Sequence, residues 1–253
     1  KYDAVEVGVD KRFANNWFLS ATYTWSRLFG NYGGLASSDE GGRTSPNVNR
    51  NFDLPFEPWA MTGKPNNGLL STDRPHVFKA YGGYDHNWSK SNTTSVSFFT
   101  TAQSGTPMTT RANFIASLAI IVYGRGDLGR SAAYYSTDLN LDHKYKFGRD
   151  NRITIQPYLN ILNLFDQKAE NGVVETLTTS TISNGTLLTG CCAPTTCVDM
   201  FSAMHLVTGG AGITQYVNSW LAGNPTARKY NVYGLSSGFN APREVRFGAR
   251  LYF

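Results

Sequence analysis

The sequence predicts an all-β fold, an antiparallel transmembrane β-barrel segment of about seven up-down strands. Three observations predict it. The first is alternation, cleanest in Val245-Arg246-Phe247-Gly248-Ala249-Arg250-Leu251-Tyr252-Phe253, where apolar side chains occupy every odd position. Successive side chains of a strand point to opposite faces, so this stretch has one apolar and one polar face. The second is composition. Only 16% of the 253 residues are charged and 13% are aromatic, against about 25% charged in a typical soluble domain. The longest apolar run, Leu118-Ala119-Ile120-Ile121-Val122, is far short of the ~20 residues a membrane helix needs. Strands that show only alternate residues to lipid need no such run. The third is the rhythm of the irregular segments, short at 13–16, 87–92 and 148–151 and long at 29–73, 104–133 and 167–241. Short turns at one end and long loops at the other are the pattern of outer-membrane barrels.

The elements follow in order. Val5, Val7 and Val9 share one face of a first strand, which turns at Phe13-Ala14-Asn15-Asn16. Trp17, Leu19, Ala21, Tyr23 and Trp25 make the apolar face of the second. Its two tryptophans are about eight residues apart, roughly 20 Å along the membrane normal at ~3.3 Å per residue and ~40° tilt, which suits two aromatic girdles. Periodicity is lost from Phe29 to Asp73, too long a stretch for a structureless loop in a compact domain. Arg74-Pro75 leads into a strand with His76, Phe78, Ala80, Gly82 and Tyr84 on one face. Thr93 to Gln103 returns, with Phe98-Phe99 blurring its faces. Within loop 104–133 the apolar piece Phe114 to Tyr123 fits a short helix, a strand extension or a buried plug equally well.

The clearest hairpin sets Tyr135-Thr137-Leu139-Leu141-His143-Tyr145-Phe147 against Ile153-Ile155-Pro157-Leu159-Ile161. Matching like faces pairs Leu139 with Ile161 and Lys144 with Gln156. Pro157 is the discordant residue, since proline in a strand is expected at an edge or a bulge. A short helix is expected at Ile213 to Leu221, stopped by Gly223, before the last strand. Seven strands in up-down order cannot close with an antiparallel seam, so an arc of a larger barrel is expected. No leader opens the chain at Lys1-Tyr2-Asp3-Ala4-Val5, so a removed leader or an internal piece of something longer is expected.

Asp73-Arg74-Pro75-His76-Val77-Phe78-Lys79, Asp138-Leu139-Asn140-Leu141, Asn160-Ile161-Leu162-Asn163-Leu164-Phe165-Asp166 and the terminal Arg250-Leu251-Tyr252-Phe253 resemble, in order and spacing, the C-terminal end of TonB-dependent outer-membrane receptors, especially the Oar-like branch. The resemblance implies that residues 1–253 are the C-terminal part of a plugged barrel of about 22 strands, with the plug and N-terminal strands outside them. It implies the bacterial outer membrane, and energy-coupled uptake or surface binding of an unidentified solute. The implied partners are outer-membrane lipid, the barrel-assembly machinery reading Phe253 and Leu251, and a TonB-type energy-coupling protein engaged through the N-terminal part.

Ligand contacts on such a scaffold are expected in its loops, with Trp59, Tyr123, Trp220 and Tyr233 as candidates. Cys191, Cys192 and Cys197 are the three cysteines, and pairing Cys197 with Cys191 or Cys192 would close a small loop. With His205 they lack the paired C-x-x-C spacing of a metal site. Net charge is +5, but the basic residues are scattered singly, so no nucleic-acid partner is expected. No G-x-S-x-G, Walker or H-E-x-x-H pattern occurs, so neither enzymatic activity nor a cofactor is expected. Asp138 and Asp142 read as polar lining of a wet interior. The alternative from a different class is a secreted, non-enzymatic β-sandwich that binds carbohydrate through the loop aromatics.

Overall fold

A computed structural model describes residues 1–32, 65–114, 118–148, 151–178, 213–223 and 232–253. Its elements are β1 (Tyr2–Ala14), β2 (Trp17–Gly30), β3 (Gly68–Leu69), β4 (His76–Asn87), β5 (Asn92–Gln103), β6 (Arg111–Phe114), β7 (Leu118–Ile121), β8 (Tyr134–Phe147), β9 (Ile153–Leu162), β10 (Glu170–Val173), α1 (Ile213–Gly223), β11 (Ser236–Phe239) and β12 (Glu244–Tyr252). Seven long strands form one antiparallel sheet in the order β1-β2-β4-β5-β8-β9-β12. β3 pairs with the end of β2, and β6–β7 and β10–β11 are separate two-stranded ribbons. The main sheet is not closed: β1 and β12 each have one sheet neighbour.

Register turns seven alternating strands into two continuous faces. Val5 and Val7 pair with Trp25 and Tyr23, and Tyr23 pairs with Phe78. Tyr84 and Gly82 pair with Val96 and Phe98, which pair with Leu141 and Leu139. These pair with Leu159 and Ile161, and those with Phe247 and Val245. One apolar face thus runs unbroken across the sheet. Most of its large side chains stand exposed, Val9 at 61% and Phe247 at 85%. The opposite face gathers Asp10, Ser20, Asp85, Ser95, Asp142 and Gln156 in the same way. Ser20 donates to Asp10 at 2.5 Å and Gln156 to Asp142 at 2.8 Å. No second sheet packs over the apolar face among the described residues, so the sandwich alternative has no partner layer.

The turns explain the rhythm of the loops. Asn15 and Asn16 both have positive φ, 54° and 68°, the geometry of the two-residue hairpin turn that asparagine tolerates. Lys11 reaches over this turn, its Nζ 3.8 Å from the Trp17 ring and 2.8 Å from the Ala14 carbonyl. The ammonium thereby lies over the aromatic face, a cation–π contact, while it donates to the carbonyls of the turn. The β4–β5 turn closes with Trp88 N–H on the Asn92 carbonyl at 3.0 Å.

Pro157 sits in neither an edge strand nor a bulge: β9 lies between β8 and β12. Its pairing with Ala249 is in register, while the β8 ladder has no pair between Asp142↔Tyr158 and Tyr145↔Ile155. The sheet accommodates the missing N–H by a local gap on one side. The expected Leu139–Ile161 pairing is present. Lys144 and Gln156 fall at the gap in the same register, and Gln156 is bonded to Asp142 instead.

The buried core lies away from this sheet. Among the described residues, and apart from Ala80, the buried apolar side chains (Leu70, Met108, Ala112, Ile120, Ile121, Val122, Ala169, Leu177, Val217 and Trp220) all lie outside the seven long strands. They belong to the segments at the long-loop end. The Phe114 to Tyr123 piece, for which a helix was one expectation, contributes to the ribbon β6–β7.

Candidate functional site

The long-loop end is a cap cross-linked by buried polar groups. Asp73, 1% exposed, accepts a hydrogen bond from Leu28 N–H at 2.5 Å and is ion-paired with Arg130. Arg130 also donates to the Asp73 and Gly105 carbonyls, both at 3.0 Å. Residues 57 apart in sequence thereby lock the entry to β4 against the exit from β5. A second cluster pairs Arg111 with Glu175, and Glu175 also accepts from Thr109 N–H at 3.0 Å. Thr110 is bonded to Asp127 through its N–H at 2.7 Å and to the Tyr233 hydroxyl at 2.5 Å.

A third set of bonds gives the Asn163-Leu164-Phe165-Asp166 segment its role. Asn163 and Asp166 have positive φ, 51° and 50°, which asparagine and aspartate adopt more readily than most residues. Asn163 N–H donates to Asp138 at 2.9 Å, and its side-chain amide donates to the Gln167 and Ala241 carbonyls at 3.1 and 3.0 Å. Asp166 accepts from Arg243 N–H at 2.9 Å. That bond, with the nearby charges of Lys168 and Arg243, holds its carboxyl below the usual carboxylate range. The turn therefore joins β8, β9 and the approach to β12.

Between this turn, the ribbon β10–β11 and the polar face of the sheet lies a trough made of two adjoining cavities. The larger, about 310 Å³, is lined by Tyr134, Asp138, Asn163, Asn171, Asn240 and Glu244 among others. The smaller, about 240 Å³, is lined by Arg74, Gln103, Ser131, Glu170, Asn171 and Asn240 among others. Tyr134, Asn171 and Asn240 border both. The lining is rich in amides and hydroxyls, with one cation, Arg74, and three carboxylates, Asp138, Glu170 and Glu244. Gly105 borders this region closely: a Cβ there would overlap the Ser131 carbonyl oxygen. Gly105→Ala is accordingly expected to destabilise by about 1–3 kcal/mol through overpacking, read as earlier cleavage in the 104–133 loop on limited proteolysis.

The structure separates the aromatics expected to contact ligand. Tyr123 is 44% exposed, and its hydroxyl donates to Asn218 Oδ1 of α1 at 3.3 Å. Burial of the phenol and the nearby Tyr233 and Asp127 raise its pKa. Tyr233 is half-buried against Thr110. Trp220, 8% exposed, packs in the cap core. Trp59, Cys191, Cys192 and Cys197 lie outside the described residues. Leu251 and Phe253 are exposed at the sheet edge. Sequence reasoning missed Arg74, Asn171 and Asn240. Only the Asp-Arg-Pro run before β4 drew attention to one of them. Among the described residues no group of three metal-ligating side chains converges.

Comparison with known proteins gives one informative match. No protein-family profile matches the chain, and no solved structure does. Over 179 residues, 70% of its length, the chain is 34% identical to the TonB-dependent transporter Oar of Myxococcus xanthus. The match spans 16% of that protein's length.

Proposed function

The chain is an Oar-like segment of a TonB-dependent receptor, and from that premise we propose that it forms part of an outer-membrane barrel that binds a solute at the cell surface and takes it up with energy from a TonB-type partner. The observation that carries this reading is the apolar face spread across seven register-matched strands. In water such a face would be an association hazard of the kind monomeric proteins avoid. In a bilayer it is the lipid-facing wall, with the polar face turned to the lumen. The open edges at β1 and β12 support the companion proposal that these strands are one arc of a larger barrel, because a bilayer does not tolerate unpaired strand edges. The plug, the energy-coupling partner and the assembly machinery acting on Leu251 and Phe253 belong to the same proposal.

The loop cap and the trough beneath it sit at the end where an entering solute would first meet the protein. The amides, hydroxyls, carboxylates and one arginine around the trough suit a polar solute. The membrane reading is tested by extracting the protein in detergent and comparing its migration on a gel before and after boiling. A heat-modifiable band is expected, since closed barrels resist the detergent until heated. A monodisperse protein in the absence of detergent would overturn the proposal.

A further inference from the structure

We propose that the trough recognises a carboxylate on the solute, held by Arg74 with Asn240 and Asn171 beside it. This inference rests on the reading of the protein as a receptor and names the chemistry of its site. Each carboxylate of the trough already has a partner. Asp138 accepts from Asn163 N–H at 2.9 Å, Glu170 from the Ser236 hydroxyl at 2.5 Å, and Glu244 from Arg246 at 2.6 and 3.0 Å.

Two donors of the trough stand underused. The Arg74 guanidinium makes a single hydrogen bond, from Nη1 to the Ser104 carbonyl at 2.8 Å, and no carboxylate lies within ion-pair distance of it among the described residues. A guanidinium has five N–H donors, so most of its fork is unused. The Asn240 side-chain nitrogen is buried and has no hydrogen-bond partner. Leaving a buried donor unmatched is destabilising, and a ligand oxygen would relieve that. Burial also lowers the Arg74 pKa from its ordinary value, the sign of a partly desolvated cation without a counter-ion.

Arg74 and Asn240 line the same cavity. Their combined demand is for an anionic, planar oxygen pair, which a carboxylate supplies and a guanidinium fork matches in two parallel bonds. Glu170 lines that cavity too, and its negative charge disfavours a dianion such as phosphate more than a singly charged carboxylate. Chain connectivity alone could not reveal this set. Arg74 precedes β4, Asn171 lies in β10 and Asn240 follows β11.

The test uses the complete receptor in detergent and titration calorimetry with N-acetyl-trialanine, its C-terminal amide, and inorganic phosphate as probes. Saturable binding of the acid is expected, with at least about tenfold weaker binding of the amide, the loss that one charge-assisted hydrogen bond produces. Arg74→Gln is expected to bring acid and amide to similar affinity while heat-modifiable migration is retained, and Arg74→Lys to restore part of the difference. Asn240→Leu, which removes the orphan donor, is expected to weaken the acid and leave the amide nearly unchanged. Equal binding of acid and amide, no binding of the acid, or tighter binding of phosphate would each overturn the assignment. If migration stays heat-modifiable in those cases, the receptor reading stands and only the carboxylate site falls. Loss of heat-modifiability in the unaltered protein would count against the receptor reading itself.

Discussion

Asp73→Ala is expected to lower stability by about 3–5 kcal/mol, the usual cost of removing one partner from a buried ion pair. The carboxylate is 1% exposed, and it both accepts from Leu28 N–H and neutralises Arg130. Alanine would leave the Leu28 N–H without its acceptor and the Arg130 guanidinium part-buried without its counter-charge. Because Arg130 also holds the Asp73 and Gly105 carbonyls, the segments before β4 and after β5 would come apart together. The cap should open before the sheet does. Limited proteolysis would show this as rapid cleavage in the 65–75 and 104–133 segments, at temperatures where the barrel still migrates as a folded band. Asp73→Asn keeps an acceptor for Leu28 but not the charge, and an intermediate loss is expected. Wild-type protease resistance in Asp73→Ala would show that the pair contributes little.

Leu159→Arg should cost about 2–4 kcal/mol in the membrane, the range for a cation placed near the bilayer midplane. Leu159 is mid-strand on the apolar face, paired with Leu141 on one side and Phe247 on the other. Ser97→Arg provides the contrast, since Ser97 lies on the polar face between Gly83 and Asn140 and its new charge would meet lumen water. The comparison separates depth in lipid from the bulk of the new side chain. Urea titration of detergent-to-lipid refolded protein would measure both. Equal destabilisation by the two substitutions would show that the apolar face does not meet lipid.

Much of the sheet was legible in the sequence, for a definite reason. Alternation fixes the faces of any strand whose polar and apolar residues separate cleanly, as in Tyr135 to Phe147 and Ile153 to Ile161. Where two aromatics are adjacent it cannot decide. Register decides: Phe98 pairs with Gly82 and Leu139 on the apolar face, whereas Phe99 pairs with Tyr81 and Asp138 on the polar one. Pro157 misled in the same way. A proline is unwelcome in a central strand on local grounds, yet the pairing with β12 runs through it and the β8 ladder absorbs the gap. Gly248 shows the converse, a residue with weak strand preference made useful by its neighbour. A Cβ there would lie 2.6 Å from the Tyr158 hydroxyl, so the glycine leaves room for that ring, over which Arg250 stacks at 4.9 Å.

The candidate site was much less legible. Trp220 was singled out only because it lies in a long loop, and that position says nothing of its burial in the cap. Arg74, Asn171 and Asn240 carry no periodic signal, and each is an ordinary polar residue in its local context. By itself, then, the sequence determined the strands, their two faces and the end at which the loops gather, because those follow from side-chain alternation and turn chemistry within a few residues. Only the tertiary structure decided which loop residues meet. The bonds that place them span long separations, 57 residues from Asp73 to Arg130 and 64 from Arg111 to Glu175, and no local pattern encodes partners that far apart.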